Sequence, residues 1–348
     1  MWIKNTKQAV CKLSGLDVTL LTSVGMKTWE LLVYLAVKYK IKQHIYVPIT
    51  IKQKNIDVIA YYTKQFRLSP KLTEWYFFEI ENQIKDNRFF QKERDKLICN
   101  SADIIYPISI RKDSTLKRLY DSDESSKAVV DERFTVNNIK TKKSYKYEID
   151  KEKLNLKIDT QLDQFIIHWT RTANNNWPGE KLSDYYKSIV NSKNNYAHSA
   201  YMTLLKILSE KGLRSSSRHY RKNLSAVSFS ELKPSDAIDL MKWRARYREM
   251  SFEPYGIAIK KNAANKIGIR KVIYGDSNMF KDLKTNDKPY FQSVGTKGFW
   301  TPEKEWRHIG DIDLSKINTE DLKIIVQSKE QIDLVKKHSK SEIISLYT

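Results

Sequence analysis

The sequence predicts an α/β domain followed by a mixed α+β domain, with a polar connection between them. Three observations lead there. The chain has 348 residues, beyond the size at which a single hydrophobic core keeps growing. Strand-like and helix-like apolar patterns alternate through the first third, as in an open, mostly parallel sheet. The second half changes to many short strands and few helices. The boundaries fall at residues 1–120 for the first domain, 121–160 for the connection and 161–348 for the second. Hydrophobic residues make up 41% of the chain, enough for packed cores rather than a disordered tail.

In the first domain, Val18-Thr19-Leu20-Leu21-Thr22 is a short β-rich run closed by Ser23-Val24-Gly25. Residues 29–39 read as a helix, with Trp29, Leu32, Val33 and Val37 at helical spacing. Ile45-Tyr46-Val47-Pro48 reads as a second strand, stopped by its proline. Residues 89–99 follow as a helix and 103–110 as a further buried strand. From 121 to 152 the chain is polar, although Tyr145 and Tyr147 leave room for a short strand.

The second domain opens with a strand over 165–170 and a turn at Trp177-Pro178-Gly179. Residues 184–208 read as one helix, with Tyr201, Leu204, Leu205 and Leu208 on a face and Gly212 as its stop. Residues 226–230, 255–259, 271–274, 306–309 and 322–326 read as short strands, and 237–248 as a helix.

Lys and Arg number 62 against 41 Asp and Glu, a formal net charge of +21. Such a charge says nothing about fold but predicts attraction to polyanions. Nucleic acid is the common one inside a cell, and an anionic membrane surface is the other. A lysine-rich composition with many Asn and Ile also fits an AT-rich genome. No run of about 20 apolar residues is present, which excludes an ordinary spanning helix. The first residues lack the apolar core and cleavage site of a secretory signal. Cys11 and Cys99 make neither a disulfide framework nor a zinc pattern. The expectation is a cytoplasmic protein with nucleic acid as partner and no membrane partner, with a homo-oligomer or a partner protein left open.

Several groups of residues carry candidate chemistry. Ser14-Gly15-Leu16-Asp17 is either an ordinary connection or a turn whose N–H groups face phosphate. His168 and Thr170 share a strand. Glu303 and Glu305 have strand spacing, which puts both carboxylates on one side; they read as a solvated edge, as a general base, or as a carboxylate that orients a sugar hydroxyl. Arg214, Arg218, His219, Arg221 and Lys222 form one basic cluster, and Lys242, Arg244, Arg246 and Arg248 another. Guanidinium and ammonium groups so clustered give salt-dependent affinity for phosphates. Trp169, Trp177, Tyr185, Tyr186, Tyr220 and Trp243 lie among them, and exposed rings beside arginine stack bases.

Two resemblances follow from these residues. Around residues 8–118, the Arg94-Asp95 pair of a helix, the strand that follows it and Asp113-Ser114-Thr115-Leu116 after the strand resemble the DprA/LOG-like (SLOG) Rossmannoid superfamily. That resemblance implies a Rossmann-like fold and a nucleotide site at Ser14, Gly15, Arg94, Asp95, Ser114 and Thr115. It departs at the glycine-rich turn, which is only Ser14-Gly15-Leu16 here, and at the second turn, which has lost its glycine; both departures crowd a phosphate. Around residues 164–315, the order of the His168/Thr170 strand, the Gly212-Leu213-Arg214-Ser215 turn, Phe229-Ser230-Glu231 and Glu303-Lys304-Glu305-Trp306-Arg307 resembles bacterial ADP-ribosyltransferases of the DarT-related sort.

The second resemblance implies NAD as cofactor and assigns roles. His168 and Thr170 would hold the nicotinamide side, and Arg214 or Arg218 the pyrophosphate. Tyr220 or Tyr247 would stack on the nicotinamide ring. Glu305 would meet the ribose 2′-hydroxyl and the developing oxocarbenium charge, with Glu303 as its competitor. Arg221, Lys222, Lys242, Arg244, Arg246 and Arg248 would contact nucleic acid. The implied function is an NAD-dependent ADP-ribosyltransferase acting on nucleic acid, in bacterial antiviral defence or as a toxin. The alternative is a non-catalytic DprA-like protein that binds nucleic acid or senses a nucleotide within a defence complex. A nuclease would need grouped metal-binding carboxylates, and the acidic residues are scattered.

Overall fold

The computed structural model describes residues 2–49, 53–79, 87–111, 114–121, 128–136, 149–155, 157–172, 174–192, 198–217, 220, 224–244, 249–294 and 303–348. The chain divides into two compact units, one of residues 1–142 and 179–197, the other of 143–178 and 198–348. Among the described residues no helix is long and apolar enough to cross a membrane.

In the first unit, α1 (Trp2–Lys12) precedes β1 (Thr19–Ser23), α2 (Lys27–Tyr39), β2 (Lys42–Ile49), α3 (Asn55–Phe66), β3 (Thr73–Glu79) and α4 (Asn87–Asn100). The three strands are parallel in the order β1-β2-β3, as expected when a helix carries the chain back between strands. Pro48 does not stop β2. The β1 ladder ends at Ser23 opposite Tyr46, while β3 stays paired through Ile49. From Pro48 on, β2 has a strand on one side only, where a residue without an N–H is tolerated.

The strand expected over 103–110 shrinks to β4 (Ile104–Ile105), which pairs with β5 (Val129–Val130) and not with the parallel sheet. Ile104 and Val129 are 52% and 65% exposed, so the apolar run that suggested a buried strand is a surface ribbon. Pro107 follows two residues later and removes the next ladder donor. Among the described residues, this parallel sheet has three strands and no strand pairs on the outer side of β1.

The helix Leu182–Asn191 belongs to this first unit. Its Tyr185, Tyr186 and Ile189 are buried with Leu31, Leu35, Ile45 and Phe66. The single helix expected over 184–208 is therefore two, this one and Ala200–Glu210. Ser199 starts the second by accepting a hydrogen bond from the Met202 N–H, the standard device for opening a helix.

The second unit is built on a mixed seven-stranded sheet. Its strands are β6 (Phe165–Trp169), β7 (Ala226–Ser230), β8 (Gly256–Lys260), β9 (Arg270–Lys271), β10 (Glu305–Ile309), β11 (Leu322–Val326) and β12 (Glu342–Ser345). The spatial order is β9-β10-β7-β6-β8-β11-β12, antiparallel throughout except for the β11–β12 pair. One face packs Ile166, Phe229, Ile257, Trp306 and Ile324 against Leu204, Leu205 and Leu208 of Ala200–Glu210. The other packs Ile167, Trp169, Ala258 and Ile325 with Leu162, Ile238 and Met241. Strands covered on both faces carry unbroken apolar runs, which is why Phe165-Ile166-Ile167 stands out in the sequence.

The helix expected over 237–248 is also corrected. A one-turn helix, Pro234–Ile238, ends early, and Trp243–Arg244 pairs antiparallel with Glu249–Met250. Ser251 Oγ donates to the Leu240 and Lys242 carbonyls and accepts from the Lys242 N–H. Those groups are thereby taken out of a helical ladder. Arg246, Tyr247 and Arg248 lie outside the described residues.

Candidate active site on the seven-stranded sheet

Register decides which candidate residues meet. Ser230 pairs with Glu305 across β7–β10 and with Ile167 across β6–β7, and Ser228 pairs with Arg307. Paired residues share a face and successive residues alternate. Ser228, Ser230, Glu305 and Arg307 therefore project from one face of the sheet.

On that face the Glu305 carboxylate is held from several sides. Arg307 donates from Nε to Oε1 at 2.8 Å and from Nη2 to Oε2 at 2.9 Å, a bidentate fork. Ser228 Oγ donates to Oε1 at 2.8 Å, and the Tyr220 hydroxyl lies 3.5 Å away. Arg307 is itself buried, with 2% of its surface exposed. It also donates to the Phe291 carbonyl at 3.1 Å and to Gln292 Oε1 at 2.6 Å, and it lies under the Tyr220 ring at 4.9 Å. The Tyr274 hydroxyl accepts the Glu305 N–H at 3.1 Å. Burial and the nearby Glu305 carboxylate push the Tyr220 phenol up.

Glu303, one position before the turn at Lys304, forms an ion pair with Arg244 from the short hairpin. Ser230 Oγ donates to the Glu303 carbonyl at 2.7 Å and fixes the backbone there. Burial pushes the Glu303 carboxyl up, Arg244 draws it back down, and Glu305 adds repulsion. Arg171, two residues past β6, is close enough for its charge to act on both Glu303 and Tyr220. Glu305 and Tyr274 also line a cleft of about 530 Å³, together with Glu231, Lys271 and Lys304.

His168 and Thr170 do not join this cluster. His168 follows Ile167, so it projects from the opposite face, where its ring meets Phe229 at 5.7 Å. Its Nδ1 lies 2.8 Å from the Ser228 carbonyl, which can only accept, so Nδ1 carries the hydrogen. Burial pushes the imidazolium down to about 4; the Ser228 bond opposes this and Arg171 adds to it. Thr170 is buried, and its hydroxyl donates to the Ala200 and Tyr255 carbonyls. Arg214 pairs with Asp311 at 3.1 Å, beyond the end of β10 that lies away from Glu305.

The His168 geometry gives a pH-dependent stability. The folded-state value of about 4 lies below the ordinary 6.5, so the unfolded chain binds the extra proton between them. Stability is complete above about pH 6.5 and falls as pH drops toward 4, by up to about 3 kcal/mol. His168→Gln keeps a donor for Ser228 and is expected to flatten this slope, measured by urea unfolding of both proteins across that window. An unchanged slope would show that His168 does not titrate on unfolding.

Of the residues expected to bind NAD or nucleic acid, Tyr220 and Arg244 sit with Glu303 and Glu305. Lys242 is exposed, and Arg218, Tyr247, Arg221, Lys222, Arg246 and Arg248 lie outside the described residues. Arg171, Ser228, Ser230, Tyr274 and Arg307 belong to the cluster without having been assigned a role from the sequence. Among the described residues no group of three or more His, Cys, Asp or Glu is placed to hold a metal ion.

The expected nucleotide site of the first unit is likewise dispersed. Ser14 and Gly15 precede β1, whereas ligands of parallel sheets bind beyond the carboxyl ends of the strands. Ser14 Oγ donates to the Tyr39 carbonyl at 3.3 Å, and Gly15 has a φ of 82°. Arg94 and Asp95 do approach the carboxyl end. Arg94 pairs with Asp95 at 2.7 Å, lies 5.4 Å from the Trp29 ring and donates to Met26 Sδ at 3.3 Å. Ser114 Oγ is used in its own turn, donating to the Arg111 carbonyl and accepting from the Lys117 N–H, at the start of the helix Thr115–Asp121.

No protein-family model, no curated protein and no solved structure matches this chain.

Proposed function

We propose that the second unit is a transferase that moves ADP-ribose from NAD to nucleic acid, with Glu305 as its central carboxylate. The observation that carries this reading is the Glu305 carboxylate held by Arg307 and Ser228, on a residue that also lines a cleft. A carboxylate held rigidly before the reaction stabilises an oxocarbenium-like charge without reorganising. NAD fits only with a changed set of residues. Tyr220 and Tyr274 supply aromatic surface beside the carboxylate, and Arg171 and Arg244 supply guanidinium groups for phosphate oxygens; His168, Thr170 and Arg214 take no part. In the transfer, the bond between ribose C1′ and nicotinamide breaks and nicotinamide leaves with the bonding pair. C1′ then bonds to a nucleophile of the nucleic acid, whose proton passes to solvent. The net charge of +21 supports a polyanionic acceptor.

The test uses purified protein, NAD labelled in its ADP-ribose part, and separate pools of single-stranded DNA, duplex DNA and RNA. Wild type is expected to label one pool. Glu305→Gln should lower the rate by about 10²-fold or more while leaving salt-sensitive nucleic-acid binding intact. Binding to all pools with no label in any would replace the transferase by a non-catalytic nucleic-acid-binding protein, in which the Glu305–Arg307 pair is structural.

A further inference from the structure

The Glu303–Arg244 pair differs from its neighbour Glu305–Arg307. Arg244 reaches Glu303 from the two-residue strand of a short hairpin and keeps 23% of its side chain exposed, against 2% for Arg307. Glu303 is the more enclosed partner, with 15% exposed. The charged and titratable groups acting on it come from four places: Arg244 on the hairpin, Glu305 on β10, Arg171 beyond β6 and Tyr274 on the strand Ile273–Gly275.

We propose that Arg244 binds the phosphate oxygens of a nucleotide or nucleic-acid ligand by leaving Glu303, and that Glu303 takes up a proton as it does so. A guanidinium fork fits carboxylate and phosphate alike, so the ligand competes for the same donors. A largely enclosed carboxylate deserted by its partner is strongly disfavoured, and here Glu305 stands beside it with the same charge. A proton on Glu303 relieves both penalties and removes the repulsion between Glu303 and the incoming phosphate. Glu305 keeps Arg307 throughout. The ligand class rests on the transferase reading; the coupling of the two charges rests on the geometry alone.

Isothermal calorimetry on the full chain tests this, with ADP-ribose and a short oligothymidylate as probes. The phosphodiester charges of both are constant over the working range. The dependence of the apparent enthalpy on the ionisation enthalpy of the buffer should report uptake of close to one proton per ligand bound. Because binding takes up a proton, affinity should weaken as pH rises, by up to about tenfold per unit. Glu303→Gln should bind more tightly at neutral pH with the slope abolished, and Arg244→Gln should lose at least about tenfold in affinity. A response to ADP-ribose alone assigns the position to the nucleotide, and a response to the oligonucleotide alone assigns it to the acceptor strand. Binding of both without proton uptake, binding of neither, or a slope retained in Glu303→Gln would each overturn the proposal. Coupling without label transfer would remove the transferase reading and leave this one standing; label transfer without coupling would do the reverse.

Discussion

Arg307→Met is expected to destabilise the second unit by about 3–5 kcal/mol, the cost of leaving a buried charge without its partner. The side chain removes none of its surface cheaply. Its five donors serve the Glu305 carboxylate through a fork, the Phe291 carbonyl at 3.1 Å, the Pro289 carbonyl at 3.4 Å and Gln292 at 2.6 Å. Methionine fills much of the volume but satisfies none of these acceptors. Arg307→Lys should recover only part of the loss, because one ammonium group cannot reproduce a planar fork. The double variant Glu305→Leu/Arg307→Met should be more stable than Arg307→Met alone, since no carboxylate is then stranded. Urea unfolding followed by tryptophan fluorescence reads all three. A loss below about 1 kcal/mol for Arg307→Met would mean that water reaches Glu305 and that the pair behaves as a surface ion pair. The preorganised carboxylate on which the transferase reading depends would then be lost with it.

This dependence on register explains what the sequence could and could not reveal about the site. Glu303 and Glu305 were expected on one side from strand spacing, but the strand begins only at Glu305 and Lys304 between them has a φ of 44°, so the turn and not the alternation brings Glu303 near Glu305. Tyr220 and Arg244 were singled out for their chemistry, and the structure brings both to the same cluster. His168 was the wrong inference because nothing local says which face of β6 matches which face of β10. That is fixed by two pairings through β7, Ile167 with Ser230 and Ser230 with Glu305, and a shift of one residue would have put His168 on the same face as Glu305. Ser228 and Arg307 escaped assignment for the same reason, each ordinary in its own strand and informative only when the two are paired.

The fold shows the same limit. The strands Ala226–Ser230 and Leu322–Val326 match the sequence reading residue for residue, because Val227 and Phe229 in one and Ile324-Ile325-Val326 in the other, each bounded by polar residues, are a local signal. The elements α1, α3 and β3 were not read. In α3, Ile56 and Tyr61 are 66% and 52% exposed, so apolar residues point outward and blur the amphipathic pattern on which helix recognition depends. The break between Leu182–Asn191 and Ala200–Glu210 was hidden because both halves keep helical periodicity, and only the Ser199 cap marks the restart.

That break leads to the expectation that a fragment of residues 1–142 does not fold by itself, whereas 1–142 supplemented with the peptide 179–197 does. The boundary drawn from composition would cut the first unit away from a helix it needs. Tyr186 is buried against Phe66 and Tyr34, with ring centroids 6.0 and 6.5 Å apart, and its hydroxyl donates to Glu30 at 2.8 Å. Glu30 in turn accepts the Gly25 N–H at 3.1 Å, so the helix supports the turn that follows β1. Burial pushes the Tyr186 phenol well above its usual range, as fits a ring enclosed on all sides. Losing the burial of Tyr185, Tyr186 and Ile189 removes about 5–9 kcal/mol at roughly 1.5–3 kcal/mol each. That is comparable to the whole stability of a typical domain. It also bares Phe66 and Leu31, which are 1% and 0% exposed in the intact unit. The fragment should therefore bind a hydrophobic dye and lack a near-ultraviolet circular dichroism signal, and saturating peptide should restore that signal. In the full chain, Tyr186→Ala should cost about 3–5 kcal/mol by the same burial. A fragment of 1–142 that unfolds cooperatively without the peptide would show that Leu182–Asn191 lies on a core already complete, and that the sequence boundary was the better one.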